Sequence, residues 1–569
     1  MEYKYTVLTN TMLGALMAAI NMNIVMITLP AIFKGLGIDP FQSGEFIYLL
    51  WILMGYSIVL ASILVTFGRI SDIFGRTRMY TLGFIIFTVG SVLLSIIPGG
   101  TKNTGATILI GFRMIQAVGA GFLMVNSTAL LTDAFPGNER GKALGINQIS
   151  FVVGSLLGLI IGGLLSSFDW HMVFIVNVPF AVAGTLWSIL KLKETAPRQK
   201  VGIDFLGNLS LALSLILISL GFTYTLMPYG NQQMGWGSPW VIASFILGTA
   251  LIFAFIAIER RVKNPLFNLS LFKIKPFAYG NISLFLAAMG RGAIMFLVVI
   301  WLQGIYLPLH GFSYSQTPFW AGIYMLPMLL GMVVFGPVGG ILTDKYGARL
   351  YATLGMVISA VGLVLLTMVP YNFNVWFFEI ILVVIGIGGG LFASPNTTAI
   401  MNAVASKDRA SANGMRMTIN NVASTISMAV FFSITITIFS LKVPGAMYSD
   451  AIKIGVPTSI ATILAGIPPS GALFGAFLGV SPMSIIPQSL FALIPLGARA
   501  ALESNSFFPN VIGPSFIIGL DYAIYIALAM SILGAIFSAL MGERYVHEEH
   551  GILIEAKETL QGGGNVGGK

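Results

Sequence analysis

Gly68-Arg69-Ile70-Ser71-Asp72-Ile73-Phe74-Gly75-Arg76-Thr77-Arg78 and Gly340-Ile341-Leu342-Thr343-Asp344-Lys345-Tyr346-Gly347-Ala348-Arg349 decide the fold. In both stretches a glycine precedes an aspartate by four residues and another glycine follows it by three. A second matched pair is Arg140-Gly141-Lys142-Ala143-Leu144-Gly145 and Arg409-Ala410-Ser411-Ala412-Asn413-Gly414, each with Arg and Gly five apart. The offsets are 272 and 269 residues. Two pairs at nearly one offset predict a chain built from two similar halves. Each of these loops lies between long apolar runs.

Those runs set the class of protein. Of 569 residues, 56% are hydrophobic and 9% are charged, and the mean hydropathy is +0.89. Soluble domains carry about 25% charged residues. So few charges cannot coat several soluble cores, so the chain is expected to be an all-α integral membrane protein with the lipid bilayer as its surroundings. A soluble enzyme and a nucleic-acid partner are both excluded on this ground. There is no cysteine, hence no disulfide frame, thiolate nucleophile or Cys-ligated metal. His547 and His550 fall in a charged tail that reads as solvated, and no metal or cofactor is expected. The first apolar run, 8–33, is too long for a signal peptide and lacks a small-residue cleavage site.

A helix needs roughly 20 apolar residues to cross the hydrocarbon core. About fourteen such runs are present: 8–33, 46–66, 79–97, 105–131, 142–166, 171–190, 205–226, 239–258, 277–305, 317–342, 350–369, 375–402, 412–440 and 514–541. Residues 441–512 are apolar but broken by eight prolines, and read as a loop with short interfacial helices; a re-entrant hairpin is the alternative. The division expected is a six-helix bundle over 1–191, a linker with two inserted helices over 192–275, and a second six-helix bundle over 276–541. A flexible tail follows over 542–569. About 23 of the 30 basic residues fall at the termini and in the loops after even-numbered spans. Both termini are therefore expected in the cytoplasm.

The sequence resembles the major facilitator superfamily, and within it the fourteen-helix drug:proton antiporters. The Gly68–Arg78 stretch is similar to the superfamily's signature loop. Arg113-Met114-Ile115-Gln116-Ala117-Val118-Gly119-Ala120-Gly121 is similar to the family's fourth-helix motif. Asp169-Trp170-His171-Met172-Val173-Phe174-Ile175-Val176-Asn177-Val178-Pro179 resembles the approach to helix 6. Asn264-Pro265-Leu266-Phe267 with Leu271-Phe272 resembles the approach to helix 9. The resemblance implies two bundles with two inserted helices, a plasma-membrane location, and proton-driven export of amphipathic compounds. An anionic-metabolite carrier is the alternative, and a monomer is expected.

The signature loop supplies the gating candidates Gly68, Arg69, Asp72, Gly75, Arg76 and Arg78, with Gly340, Asp344 and Gly347 as their second-half counterparts. The resemblance implies that Asp72 caps the start of span 13, near Arg416, as a latch for the outward-facing state. Arg76 is placed to pair with Asp133 at the end of span 4. An ionisable group costs about 2.5–3.5 kcal/mol at a helix centre on insertion scales, so such groups are functional candidates. Arg113, Arg291, Glu379 and Asp521 qualify; a salt bridge to Arg291 and an interfacial position for Glu379 are the alternatives. Asn21, Asn23, Gln116 and Gln303 are polar groups able to line a hydrated cavity or to tie helices together.

Two departures stand out. Asn21 occupies the place where the family usually has a span-1 aspartate, which leaves Arg113 without that counter-charge. Asn cannot carry a titrating proton. In span 5, Leu159 stands where the antiporter motif has proline. Gly154, Gly158, Gly162 and Gly163 still predict a close packing face there.

Overall fold

The computed structural model describes residues 2–42, 44–194, 202, 204–230, 232–262, 265, 267–405 and 409–542. The charged tail with His547 and His550 lies outside the described residues. In hydrocarbon every backbone polar group must be satisfied within the chain, and helices do this locally. The helices are α1 (Tyr3–Leu36), α2 (Phe46–Phe74), α3 (Arg76–Ser95), α4 (Lys102–Ala134), α5 (Gly137–Ser166) and α6 (Met172–Lys191). Then come α7 (Phe205–Tyr224) and α8 (Pro239–Glu259). The second set opens with α9 (Lys275–Leu309), α10 (Thr317–Tyr346), α11 (Ala348–Leu366), α12 (Val375–Asn402) and α13 (Arg409–Ser440). Four short helices follow: α14 (Val443–Lys453), α15 (Thr458–Ala465), α16 (Pro469–Leu478) and α17 (Leu496–Glu503). The last is α18 (Phe507–Ala539). Among the described residues, fourteen helices (α1–α13 and α18) are long and apolar enough to cross a membrane.

In the first set, α1 packs on α4 and α5, and α3 on α4 and α6. In the second, α9 packs on α12, α13 and α18, and α12 on α10 and α11. The halves meet where α2 packs on α13 and α5 on α10. Helices α7 and α8 pack on each other, and α7 lies against both α2 and α13.

The internal repeat has a structural form. Gly75 (φ +109°) turns α2 into α3, and Gly347 (φ +89°) turns α10 into α11. A side chain disfavours such positive φ. In each turn the glycine N–H donates to the carbonyl four residues back: Gly75 to Ser71 at 2.9 Å, Gly347 to Thr343 at 2.8 Å.

Two expectations change. The last span starts at Phe507, with Pro514 inside it, and α9 runs on to Leu309 through a wide turn at Leu302–Tyr306. The segment before α18 is also not a set of interfacial helices throughout. Helices α15 and α16 bend by 91°, the geometry of a broken span or of the re-entrant alternative, and all ten residues of α16 are buried. Its sequence, Pro-Ser-Gly-Ala-Leu-Phe-Gly-Ala-Phe-Leu, explains this. A helix without a charged face has no side to present to water.

Candidate functional site

At the signature-loop end, Arg76 is the hub. Its guanidinium donates to both oxygens of Asp133, at 2.7 and 2.8 Å, and its Nε donates to Asp72 at 2.9 Å. All three side chains are partly buried. Glu194, just past α6, completes the turn. Its carboxylate accepts the backbone N–H groups of Arg76 and Thr77, both at 3.1 Å. A carboxylate there offsets the positive end of α3. Arg69 reaches sideways instead, donating to the carbonyls of Gly202 (3.1 Å) and Pro265, which flank the inserted pair. Arg78 is exposed. Gly68 faces Val125, and Gly340 lies 3.0 Å, measured from an added methyl, from the Ser394 hydroxyl.

The cross-half contact expected of Asp72 is not made in this structure. Asp72 is held by Arg76 in its own half. Arg416 is held in the other half, donating to Asn413 (3.2 Å) and to the Thr397 hydroxyl (3.4 Å). The Gly75 turn brings Asp72, on the last turn of α2, against Arg76 at the start of α3, so the carboxylate meets a local partner first. At this end the halves touch through apolar atoms, with Val65 beside Gly414. The side chain of Asp344 lies outside the described residues.

The far end is closed by packing. A methyl on Gly163 would meet the backbone of Phe319 and Pro318, and one on Gly322 would lie 2.9 Å from the Leu159 carbonyl. Leu159, the residue in place of proline, is thus fully buried at a contact between halves. Gly154, Gly158 and Gly162 set α5 against α1 at Leu16, Ile20 and Ile24. Gln303 Nε2 crosses from α9 to donate to the Ile27 carbonyl at 3.1 Å. Pro30 removes one helix hydrogen bond just beyond that turn of α1. Helix α16 sits over these contacts. Gly471 faces the Pro40 carbonyl at 3.0 Å and Gly475 faces the Phe41 ring, both in the first half. Gly304 faces the backbone of Phe477 at 3.1 Å, and the Phe474 and Phe432 rings lie 5.6 Å apart, both on the second-half side.

Between the two ends, the structure brings Asn21, Arg113 and Gln116 together. Arg113 is 1% exposed. Its Nη1 donates to Gln116 Oε1 at 3.0 Å, and Gln116 Nε2 donates to Ser91 at 2.8 Å. Its guanidinium lies 4.3 Å from the Tyr56 ring centre. No carboxylate pairs with it among the described residues. The Tyr56 hydroxyl lies beside the Asn21 amide, and neither the hydroxyl nor either Asn21 amide atom has a partner of full hydrogen-bond geometry. Asn23 stays on its own helix, bonded to the Ala19 carbonyl.

The remaining charged groups stand apart. Arg291 has no ion pair among the described residues and lies against Gly389 and Met332. Glu379 neighbours Tyr306 and Tyr324 at the far end of α12. Asp521 is half-buried on α18 and makes no ion pair among the described residues. Sequence reasoning missed Glu194, Tyr56, Ser91 and α16. Only Glu194 carried a signal, as a carboxylate directly after a span. No group of metal-binding side chains is present among the described residues.

Two six-helix bundles with two inserted helices, duplicated signature turns and isolated charges inside the spans are the arrangement of a polytopic membrane transporter. The family model described as Major Facilitator Superfamily matches residues 11–272 and 280–452, and the chain belongs to that superfamily. It is similar to Riboflavin transporter RibZ of Clostridioides difficile (strain 630), with 30% identity over 437 residues, 76% of this chain and 88% of the relative. It is also similar to Multidrug resistance protein 3 of Bacillus subtilis (strain 168), with 28% identity over 506 residues, 87% of this chain and 93% of the relative. Among solved structures, a bacterial homolog of the human lysosomal transporter Spinster, crystallised inward-facing and unoccupied, superposes with a TM-score of 0.56. That match has 16% identity and covers 94% of this chain and 97% of the other.

Proposed function

We propose that the chain is a monomeric secondary transporter of the cell membrane that exports amphipathic organic compounds by alternating access, driven by inward proton flow. The observation that carries this reading is the near end-to-end match to Multidrug resistance protein 3. The charge distribution supports placing both termini and the signature-loop end in the cytoplasm, so the α16 end faces out. The proposal takes the chain as a bundle over 1–191, a linker with two inserted helices over 192–275 and a second bundle over 276–541. Asp521 and Glu379 are the proton sites of this proposal, because Asn21 cannot titrate. Asp72, Arg76 and Asp133 form the cytoplasmic gate with Gly68, Gly75 and their second-half counterparts.

A second reading is a carrier of an anionic metabolite with little proton exchange. Arg113 and Arg291, both without a carboxylate partner among the described residues, favour it. One experiment separates the two. The purified chain is placed in proteoliposomes, a pH gradient is imposed, and a panel of cationic and anionic amphipathic compounds is followed. Cation efflux that dissipates the gradient supports proton-driven export; anion movement indifferent to pH supports the second reading. Full coupling in Asp521→Asn would remove Asp521 from the mechanism.

A further inference from the structure

We propose that Asn21, Tyr56 and Arg113 form a receptor for a single negatively charged group, a carboxylate or a small free anion, supplied from outside the chain. The proposal rests on the transporter reading for its purpose but not for its chemistry. Arg113 carries a permanent charge that is 1% exposed, inside the first bundle. A charge left unpaired in such a place is strongly destabilising. The chain supplies only two neutral interactions: the Gln116 amide oxygen at 3.0 Å and the Tyr56 ring at 4.3 Å. Neither cancels the charge.

The unused hydrogen-bonding groups point the same way. Arg113 Nε, both Asn21 amide atoms and the Tyr56 hydroxyl are all buried and lack a partner of full hydrogen-bond geometry. Arg113 Nε and Asn21 Nδ2 only donate, the Tyr56 hydroxyl can donate, and Asn21 Oδ1 only accepts. Tyr56 touches both other residues, with its ring under the guanidinium and its hydroxyl at Asn21. One unpaired buried donor is an isolated defect, but Arg113 Nε and Asn21 Nδ2 around an uncompensated cation make a site short of a negative charge, with the Tyr56 hydroxyl able to turn to Asn21 Oδ1 or to a ligand. The chemistry that satisfies both fixed donors and the buried cation at once is an anion. Gln116 is fixed by Ser91, so the guanidinium is held in place. An aspartate at position 21 would supply the charge from within; asparagine leaves it to a ligand.

The test reads binding, not transport. The thermal unfolding midpoint of the purified full chain in an uncharged detergent is measured with 1-naphthoate and with 1-naphthamide, which has nearly the same shape and no charge. A third arm exchanges methanesulfonate for chloride at constant ionic strength. We expect naphthoate to raise the midpoint by a few degrees and naphthamide to leave it unchanged. A rise with chloride alone assigns the same receptor to a free anion. Asn21→Asp should raise the midpoint without ligand and abolish the anion effect; Arg113→Met should abolish it too. Equal responses to naphthoate and naphthamide, no response to either anion, or an anion effect that survives in Asn21→Asp would overturn the proposal. A chain that binds naphthoate but moves no solute keeps this receptor and loses the transport reading.

Discussion

The two ends of the bundle pair are held by different chemistry. At the α16 end the halves are joined across their interface by apolar packing, by Gln303 on the Ile27 carbonyl, and by a buried helix touching both halves. At the signature-loop end the charges close on themselves: Arg76 with Asp72 and Asp133 in one half, Arg416 with Asn413 in the other. Val65 and Gly414 supply the contact between halves there. The difference suits a molecule sealed on one side and held on the other by groups that exchange partners. Ion pairs are directional, and each partner can be re-paired. A packed apolar seal opens only when its surfaces separate.

The largest expected effect is on the seal. Gly163→Val sets a branched side chain against the Phe319 backbone, and overpacking costs about 1–3 kcal/mol. Because the chain has no native cysteine, Phe41→Cys reports opening without background. Its labelling by an impermeant maleimide should rise roughly tenfold or more in the Gly163→Val background, since each 1.4 kcal/mol is about a factor of ten. Next is Asp133→Asn, which takes the charged partner from a partly buried pair in which Arg76 Nη1 meets both carboxylate oxygens. A loss of about 1–2 kcal/mol is expected, seen as a lower unfolding midpoint. Asp72→Asn should cost less than half as much, because Arg76 keeps Asp133; it should slow transport and leave membrane insertion intact. If the two variants were equal, Arg76 would not be the hub.

Gln303→Leu removes one cross-half hydrogen bond, about 1 kcal/mol, and should raise Phe41→Cys labelling roughly fivefold. The smallest effect is in the exposed loop before α6. There the backbone N–H of His171 holds the Asp169 carboxyl below its ordinary range. A lowered carboxyl pKa stabilises the fold above that range and loses the contribution as pH falls through it. The midpoint difference between wild type and Asp169→Asn should therefore be flat at neutral pH and shrink in acid.

Much of this was legible in the sequence. Fourteen spans follow from runs long enough to cross lipid, and Gly75 and Gly347 turn the chain in the same way because the repeat places them alike. The Arg76–Asp133 pairing follows from opposite charges at the ends of adjacent spans. Other features were not readable. Asp72 pairs across the Gly75 turn with Arg76, and spacing alone does not tell a local partner from one in the other half. The many prolines of 441–512 predict breaks, but not that α16 is buried on all sides, which depends on Gly304, Phe41 and Phe432 far away in sequence. Asn21 was visible as a missing charge. That Tyr56 would stand between it and Arg113 was not, because no spacing links residues on three helices.

The central claim is that solute crosses only when the α16 end opens. Phe41 and Phe508 lie on opposite sides of that seal, with ring centres 6.1 Å apart. Phe41→Cys with Phe508→Cys, joined by a short reducible cross-linker, should stop transport in proteoliposomes, and reductant should restore it. Each single variant treated alike should keep transporting. Full transport through the cross-linked protein would contradict the account.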